Sequence, residues 1–288
     1  MPAMGPAFRP EGPPEDWYAD PVWAEVHPGG RLVAGGPAVR LRVRGMPALV
    51  TPPWAVQVAA AGVDLEAWAA QPEPWKVVDA PPGLPTPECI PPGGWFLQRH
   101  TRMLAVHPEG AAAAVPAHRR KQLGRAARAG LVVESGVPVD ELLRLHQTAR
   151  HRKGIPSDAR ALASLLTAVS ASPWARCCGV RDEQGAWMAA AVFLCERDRW
   201  IYAFGGAERG DRSGLATVAL IGHALDEAAR AGAEQFDFGG SSDPGVDRFY
   251  QEFGAEAVPK WRWVHAAPWS LPWMRWMRPD LVRGGRPR

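Results

Sequence analysis

The chain has 288 residues, 47% of them hydrophobic and 22% charged, with a formal net charge of +3. That length allows one large or two small domains with real cores, and the composition is that of an ordinary globular protein. The charge is too small to argue by itself for a nucleic-acid partner, no apolar run reaches the roughly 20 residues of a membrane-spanning helix, and Met1 to Pro14 lacks the charged start and apolar core of a secretory signal.

Four cysteines stand at 89, 177, 178 and 195. Cys177 and Cys178 fall in an expected strand, where neighbouring side chains point to opposite faces, so they make a poor disulfide or zinc pair. There is no Cys-x-x-Cys, and the histidines lack metal-ligand spacing. A reduced, cytoplasmic protein without a bound metal is expected.

Residues 1–15, rich in Pro and Gly, are expected to be a disordered leader. Strands are expected at Arg31–Ala34, Val39–Arg44, Lys76–Asp79 and Met103–Val106, with a helix over 55–70 interrupted near Gly62. Pro116–Gly130 has Pro in its first turn and Gly at its end, the favoured helix asymmetry. Val137–Lys153 follows as a helix with Leu142, Leu145 and Ala149 on one face. Ser157 is the expected cap of another running to Ser170, with Leu162, Leu165, Leu166 and Val169 inward. Ala175–Val180, Ala186–Cys195 and Trp200–Phe204 are expected strands, joined by connections short enough for an antiparallel meander. A strong helix, Leu215–Ala231, ends at Gly232. Gln235–Phe238 is a strand, Pro244–Glu252 a short helix and Ala257–Val264 a last strand. From Val137 the order is α-α-β-β-β-α-β-α-β.

Four stretches carry chemistry. The helix from His118 to Gly130 sets His118, Lys121, Arg125 and Arg128 on one side and Leu123, Ala126, Ala127 and Gly130 on the other, with no acid among them. It is either a solvated face or a docking surface for phosphate or nucleic acid. Asp211-Arg-Ser-Gly-Leu-Ala216 opens the long helix, and unpaired N–H groups there favour phosphate. In Glu234–Ala255, alternation makes Phe236 and Phe238 core and sets Asp237 on the other face, as a turn acceptor or a functional carboxylate. Gly239-Gly240 then breaks the strand. Finally, Trp269, Trp273, Trp276 and Met277 share helical spacing beside Arg275 and Arg278, which suits a membrane interface or packing on the protein's own surface. His146, His151 and His223 fall in helices with no nucleophile motif nearby, and Asp158, Glu183 and Glu196 read as surface charges.

The basic helix, the Asp-Phe-Gly-Gly block with its following Phe-bearing helix, and the element order together resemble the Fem-type and related GNAT-fold acyltransferases. The resemblance spans roughly Trp17 to Val264 and is specific from about Arg119 onward. It implies an α/β (α+β) tandem GNAT-like fold, a mixed central sheet with flanking helices. The expected parts are the leader 1–15, a degenerate half over 16–115, the acyltransferase half over 116–265 and a Trp/Arg-rich tail over 266–288. It also implies transfer of an acyl group, acetyl first, from acyl-CoA to a small-molecule, glycan or peptide amine. Arg212, Ser213, Gly214, Leu215 and Ala216 would then hold the donor, and Arg119, Arg120, Lys121, Gly239 and Gly240 the acceptor. Asp237 would orient the amine or hold the donor's amino group. Tyr250 stands where the family often has lysine, and its hydroxyl would donate to the oxyanion or protonate the leaving thiolate. Asp211 stands where the family's pyrophosphate loop carries Gln or Arg, beside Arg209 and Arg212. An aminoacyl-tRNA donor, with a cell-wall precursor or a protein N-terminus as acceptor, and a non-catalytic binding scaffold are the alternatives. Peripheral contact with the inner membrane face through 269–278 is the expected role of the tail if the acceptor is lipid-borne.

Overall fold

In the computed structural model, which describes residues 16–152, 158–240 and 243–283, the helices are α1 (Val22–Glu25), α2 (Leu65–Ala69), α3 (Ala111–Ala114), α4 (Ala117–Arg128), α5 (Val139–Arg152), α6 (Ala159–Ser170), α7 (Asp211–Ala231), α8 (Pro244–Gln251) and α9 (Leu271–Met277). The strands are β1 (Gly30–Val33), β2 (Gly36–Val43), β3 (Met46–Val50), β4 (Trp75–Asp79), β5 (Gly94–Ala105), β6 (Val132–Ser135), β7 (Ala175–Arg181), β8 (Trp187–Cys195), β9 (Arg199–Ala207), β10 (Gln235–Asp237) and β11 (Glu256–Ala266). The expected leader and the Ser157 cap lie outside the described residues.

Contacts divide the described chain into two units, 102–256 and 16–101 with 257–283, so that one division falls inside β5. In the unit holding the N-terminal strands the order is β1-β2-β3-β4-β11-β5. β3 and β4 pair in parallel, Ala48 with Trp75 through Val50 with Val77, and β4 pairs antiparallel with β11. One core gathers Leu49, Trp68, Val78 and Trp263, and a second gathers Trp75, Trp95, Val264, Met274 and Leu281. The helix expected over 55–70 is replaced by a single 3-10 turn at Ala60–Gly62 and the short α2. Val58 donates its N–H to the Asp79 carbonyl at 2.9 Å, which holds the chain extended beside β4. Asp64 then caps α2 by accepting the Ala67 N–H at 3.0 Å.

In the unit 102–256 the order is β5-β10-β9-β8-β7-β6. β7, β8 and β9 form the expected antiparallel meander, and β10 joins β9 in parallel. One face of β8, Ala189, Ala191, Phe193 and Cys195, packs into a core with Val218, Ile221 and Leu225 of α7. Leu162, Leu165, Leu166 and Val169 of α6 are all fully buried. At about 1.5–3 kcal/mol for each fully buried side chain of this kind, that stripe explains why α6 forms. Asp158 is exposed, as expected of a surface charge, and it also caps α6 by accepting the N–H groups of Arg160 and Ala161 at 3.1 and 3.0 Å. Gly232 ends α7 at φ 78°, a left-handed conformation that only glycine adopts at little cost.

Candidate active site

β10 and β9 pair over three residues only, Gln235–Asp237 against Arg199–Ile201. Beyond them β10 turns away through Gly239 and Gly240, at φ 74° and 70°, while β9 continues along β8 to Ala207. Parallel strands that part in this way open a notch, and a ligand amide can pair there in place of the missing strand. β9 is also bulged. Val192 pairs with Phe204 and Phe193 with Tyr202, leaving Ala203 as the extra residue.

The bulge sets what each side of β9 meets. A Cβ on Gly205 would lie 2.3 Å from the Tyr202 hydroxyl, and a Cβ on Gly206 would lie 2.2 Å from the Leu145 carbonyl oxygen. α5 therefore rests directly on the β9 backbone. Gly206→Ala is expected to cost about 1–3 kcal/mol, the usual price of overpacking, seen as a lower midpoint in urea denaturation; an unchanged midpoint would mean that α5 moves aside freely. His146 of α5 is buried and donates from Nδ1 to the Gly205 carbonyl at 3.1 Å. Burial first, and then Arg150, lower its pKa to about 4 against the opposing effect of that hydrogen bond, so the ring is neutral at neutral pH. Its ring stands edge-on to Phe204 at 5.7 Å. In the sequence His146 is one of three helical histidines with no nucleophile motif nearby; the Gly205-Gly206 pair, just past the expected strand and inside β9, marks a place where something packs closely.

Asp237 is buried to 1% exposure. Its Oδ1 accepts the Gly239 N–H at 2.8 Å, and its Oδ2 lies 3.7 Å from Arg199 Nη1. The turn-acceptor role is thus filled, and the Gly239 amide is engaged by the chain itself. Arg199 also donates to Glu196 at 2.9 Å, and Glu196, expected to be a surface charge, is buried.

Tyr250 packs on Phe238, with ring centroids 4.8 Å apart, and faces Tyr202 at 6.3 Å. Burial raises the Tyr250 pKa well above 10, and the neighbouring Tyr202, Asp237 and Asp243 push it the same way. Burial also raises Tyr202 to about 12. Both hydroxyls are therefore protonated donors at neutral pH. Two ion pairs fix the helix that carries Tyr250: Arg102 clasps Asp247 at 2.9 and 2.7 Å, and Arg119 reaches Glu252 at 2.8 Å. Asp243 caps the same helix, α8, by accepting the N–H groups of Gly245 and Val246.

Arg119 is a correction to its expected place on an acceptor surface. It is buried, and its guanidinium lies 4.5 Å over the rings of both Phe249 and Phe253, so it packs α4 against α8. His118, Arg120, Lys121, Arg125 and Arg128 are exposed. Arg120 reaches back to the Ala112 carbonyl at 3.4 Å. Ala127, expected inward, is exposed too.

α7 starts three residues after β9. Arg212, expected to hold a donor, instead donates to the Ala129 carbonyl at the end of α4 at 2.6 Å, a cation at a helix C-terminus. Ser213 donates to the Gly210 carbonyl, Leu215 is partly buried and Ala216 is core. A Cβ on Gly210 or Gly214 would meet nothing within 4 Å, so the first turn of α7 is open. The Asp211 side chain lies outside the described atoms.

Residues 117–252 match a family model described as "Acetyltransferase (GNAT) domain". The chain is an acyltransferase with a GNAT domain over that stretch, and from Val137 onward its element order is the one expected. No curated protein matches the chain. Among solved structures it is similar to the crystal structure of FemX, at 13% identity and TM-score 0.59, covering 90% of this chain and 94% of that one. L-PGS from Bacillus licheniformis is 12% identical with TM-score 0.57, covering 92% of each chain. The C-terminal domain of a putative lysylphosphatidylglycerol synthetase from Agrobacterium fabrum is 14% identical with TM-score 0.56, covering 92% of this chain and 94% of that one. At these identities the likeness is one of fold. It covers far more than the GNAT stretch, in keeping with a tandem GNAT-like architecture.

Proposed function

We propose that the chain transfers an acyl group, acetyl first, from acyl-CoA to an amine acceptor, with the reaction in the notch where β9 and β10 part. The observation that carries this reading is the juxtaposition, in one unit, of that notch and the open first turn of α7 just after β9. Amide groups along β9 would pair with the donor's amides. The N–H groups at the start of α7 would face its pyrophosphate, with Gly210 and Gly214 leaving room for close approach. The amine attacks the thioester carbonyl, a C–N bond forms, the proton shed by the amine nitrogen passes to water, and the C–S bond breaks to release the thiolate. The Tyr250 hydroxyl supports the oxyanion or returns a proton to the thiolate. Arg212 plays no direct part, because its guanidinium caps α4. Among the described residues no helix is long and apolar enough to cross a membrane, and no group of His, Cys, Asp and Glu could hold a metal ion.

One observation favours a second donor, an aminoacyl-tRNA. The exposed face of α4 carries His118, Arg120, Lys121, Arg125 and Arg128 with no acid on the helix. Calorimetric titration with acetyl-CoA, longer acyl-CoAs and free CoA at two salt concentrations separates the readings. Saturable micromolar binding that is abolished in Gly214→Glu, which blocks the open turn, is the expected result. Silence toward every CoA species, with salt-sensitive tRNA binding that Arg120→Gln and Lys121→Gln abolish, would replace the first reading with the second.

A further inference from the structure

We propose that the segment Pro268–Leu281 is a preformed docking surface for an anionic lipid bilayer. Most of the chain's 14 tryptophans are buried, yet Trp269, Trp273 and Trp276 are 64%, 53% and 71% exposed. Only two other large hydrophobic side chains among the described residues, Leu32 and Val132, are comparably exposed, so the tryptophans form a local patch rather than scattered surface. Trp273 and Trp276 stand edge to face with ring centroids 6.3 Å apart.

The patch is held firmly from beneath. Met274, on the inner side of α9, is fully buried, and Leu281 is 4% exposed in the same core. The buried Trp75 indole donates to Ser270 Oγ at 3.1 Å, and the buried Trp95 indole donates to the Leu281 carbonyl at 2.9 Å. Ala267 donates its N–H to the Pro74 carbonyl at 2.8 Å. A segment anchored at both ends and in its middle still turns three indoles to solvent, where each forgoes the gain of burial. Indole is apolar over its ring and carries one donor at its edge, the chemistry that favours the headgroup level of a bilayer.

Charge selects the surface. The segment and the residues just after it carry Arg275, Arg278 and Arg283 against one acid, Asp280, and Asp280 is already paired with Arg278 at 2.8 Å. The excess is positive and lies beside the tryptophans, complementary to anionic headgroups. A second copy of the chain fits less well. At up to about 250 Å² per Trp, the three exposures amount to about 470 Å². Two such patches give about 940 Å², short of the roughly 1,200–2,000 Å² of a stable interface.

The test is co-sedimentation of the full chain with vesicles of phosphatidylcholine alone and of phosphatidylcholine mixed with phosphatidylglycerol. It reads no acyl transfer and stands whether or not the donor assignment does. Partition into the mixed vesicles is expected to exceed that into neutral ones. It should fall at least about tenfold in the Trp269→Ser, Trp273→Ser, Trp276→Ser triple variant and about fivefold for each of Arg275→Gln and Arg283→Gln. The substituted side chains are exposed, so far-ultraviolet circular dichroism and the melting temperature should match the parent. Three results would overturn the proposal: no vesicle binding by the parent chain, equal binding by the triple variant, or Trp-dependent self-association in sedimentation equilibrium without vesicle binding, which would assign the patch to a second copy.

Discussion

Replacing Tyr250 with phenylalanine is expected to lower kcat about 10²- to 10³-fold, the range for losing one donor to a developing oxyanion, with KM for the acyl donor and the melting temperature nearly unchanged. The ring stays in place in the variant. Its contacts with Phe238, Tyr202 and Phe249 are aromatic packing, and the two ion pairs that hold α8 involve Asp247 and Glu252. Only the hydroxyl is lost. Because burial keeps its pKa well above 10, the hydroxyl remains a proton donor throughout the working range. Any loss of activity between neutrality and pH 10 should therefore belong to another group and persist in the phenylalanine variant. Steady-state kinetics of both forms, with the best donor and amine pair, decides the matter. An unchanged kcat would remove Tyr250 from the chemistry.

What the sequence made legible was local. The strand and helix order from Val137 follows hydrophobic period and turn chemistry, and the structure has it in that order. The exposed stripe on α4 is equally a matter of helical geometry. What it hid was set by distant partners. Arg119 belongs to the same helix, yet Phe249, Glu252 and Phe253, about 130 residues away, bury it. Arg212 sits in the first turn of α7, a place that favours anions, but the carbonyl end of α4 takes its guanidinium. β3 escaped notice because Pro47 interrupts its apolar run, and β6 because it is a four-residue strand ending in Glu134 and Ser135. The early half of β5 was hidden by Gln98, Arg99 and His100, although Trp95 and Leu97 keep the alternation and are buried. The notch was legible only in part. The two glycines after Phe238 marked its edge, whereas the bulge at Ala203 and the approach of His146 depend on pairing that no periodicity reveals.

Asp237 is where sequence left two roles open, and the geometry predicts which one dominates. Asp237→Ala is expected to destabilise the protein by about 3 kcal/mol. Two losses add. The Gly239 amide, buried beside it, would lose its acceptor, which costs about 1–3 kcal/mol. Arg199 would lose one of its two carboxylates and keep Glu196, so the electrostatic loss should fall below the 3–5 kcal/mol of a fully broken buried pair. For a chain of this size about 3 kcal/mol corresponds to a melting temperature roughly 6–12 °C lower. Asp237→Asn keeps an oxygen for Gly239 and loses only the charge, so it should fall nearer to the parent than to the alanine variant. That order, parent above Asn above Ala, is what a turn acceptor and ion-pair partner requires. A carboxylate serving chemistry alone would give the opposite pattern, with both variants equally inactive and the melting temperature unmoved. Thermal denaturation of the three forms, followed by kinetics of whichever remain folded, distinguishes the two. If stability does not fall, the β10 turn is held by something other than Asp237, and the notch that depends on that turn must be explained another way.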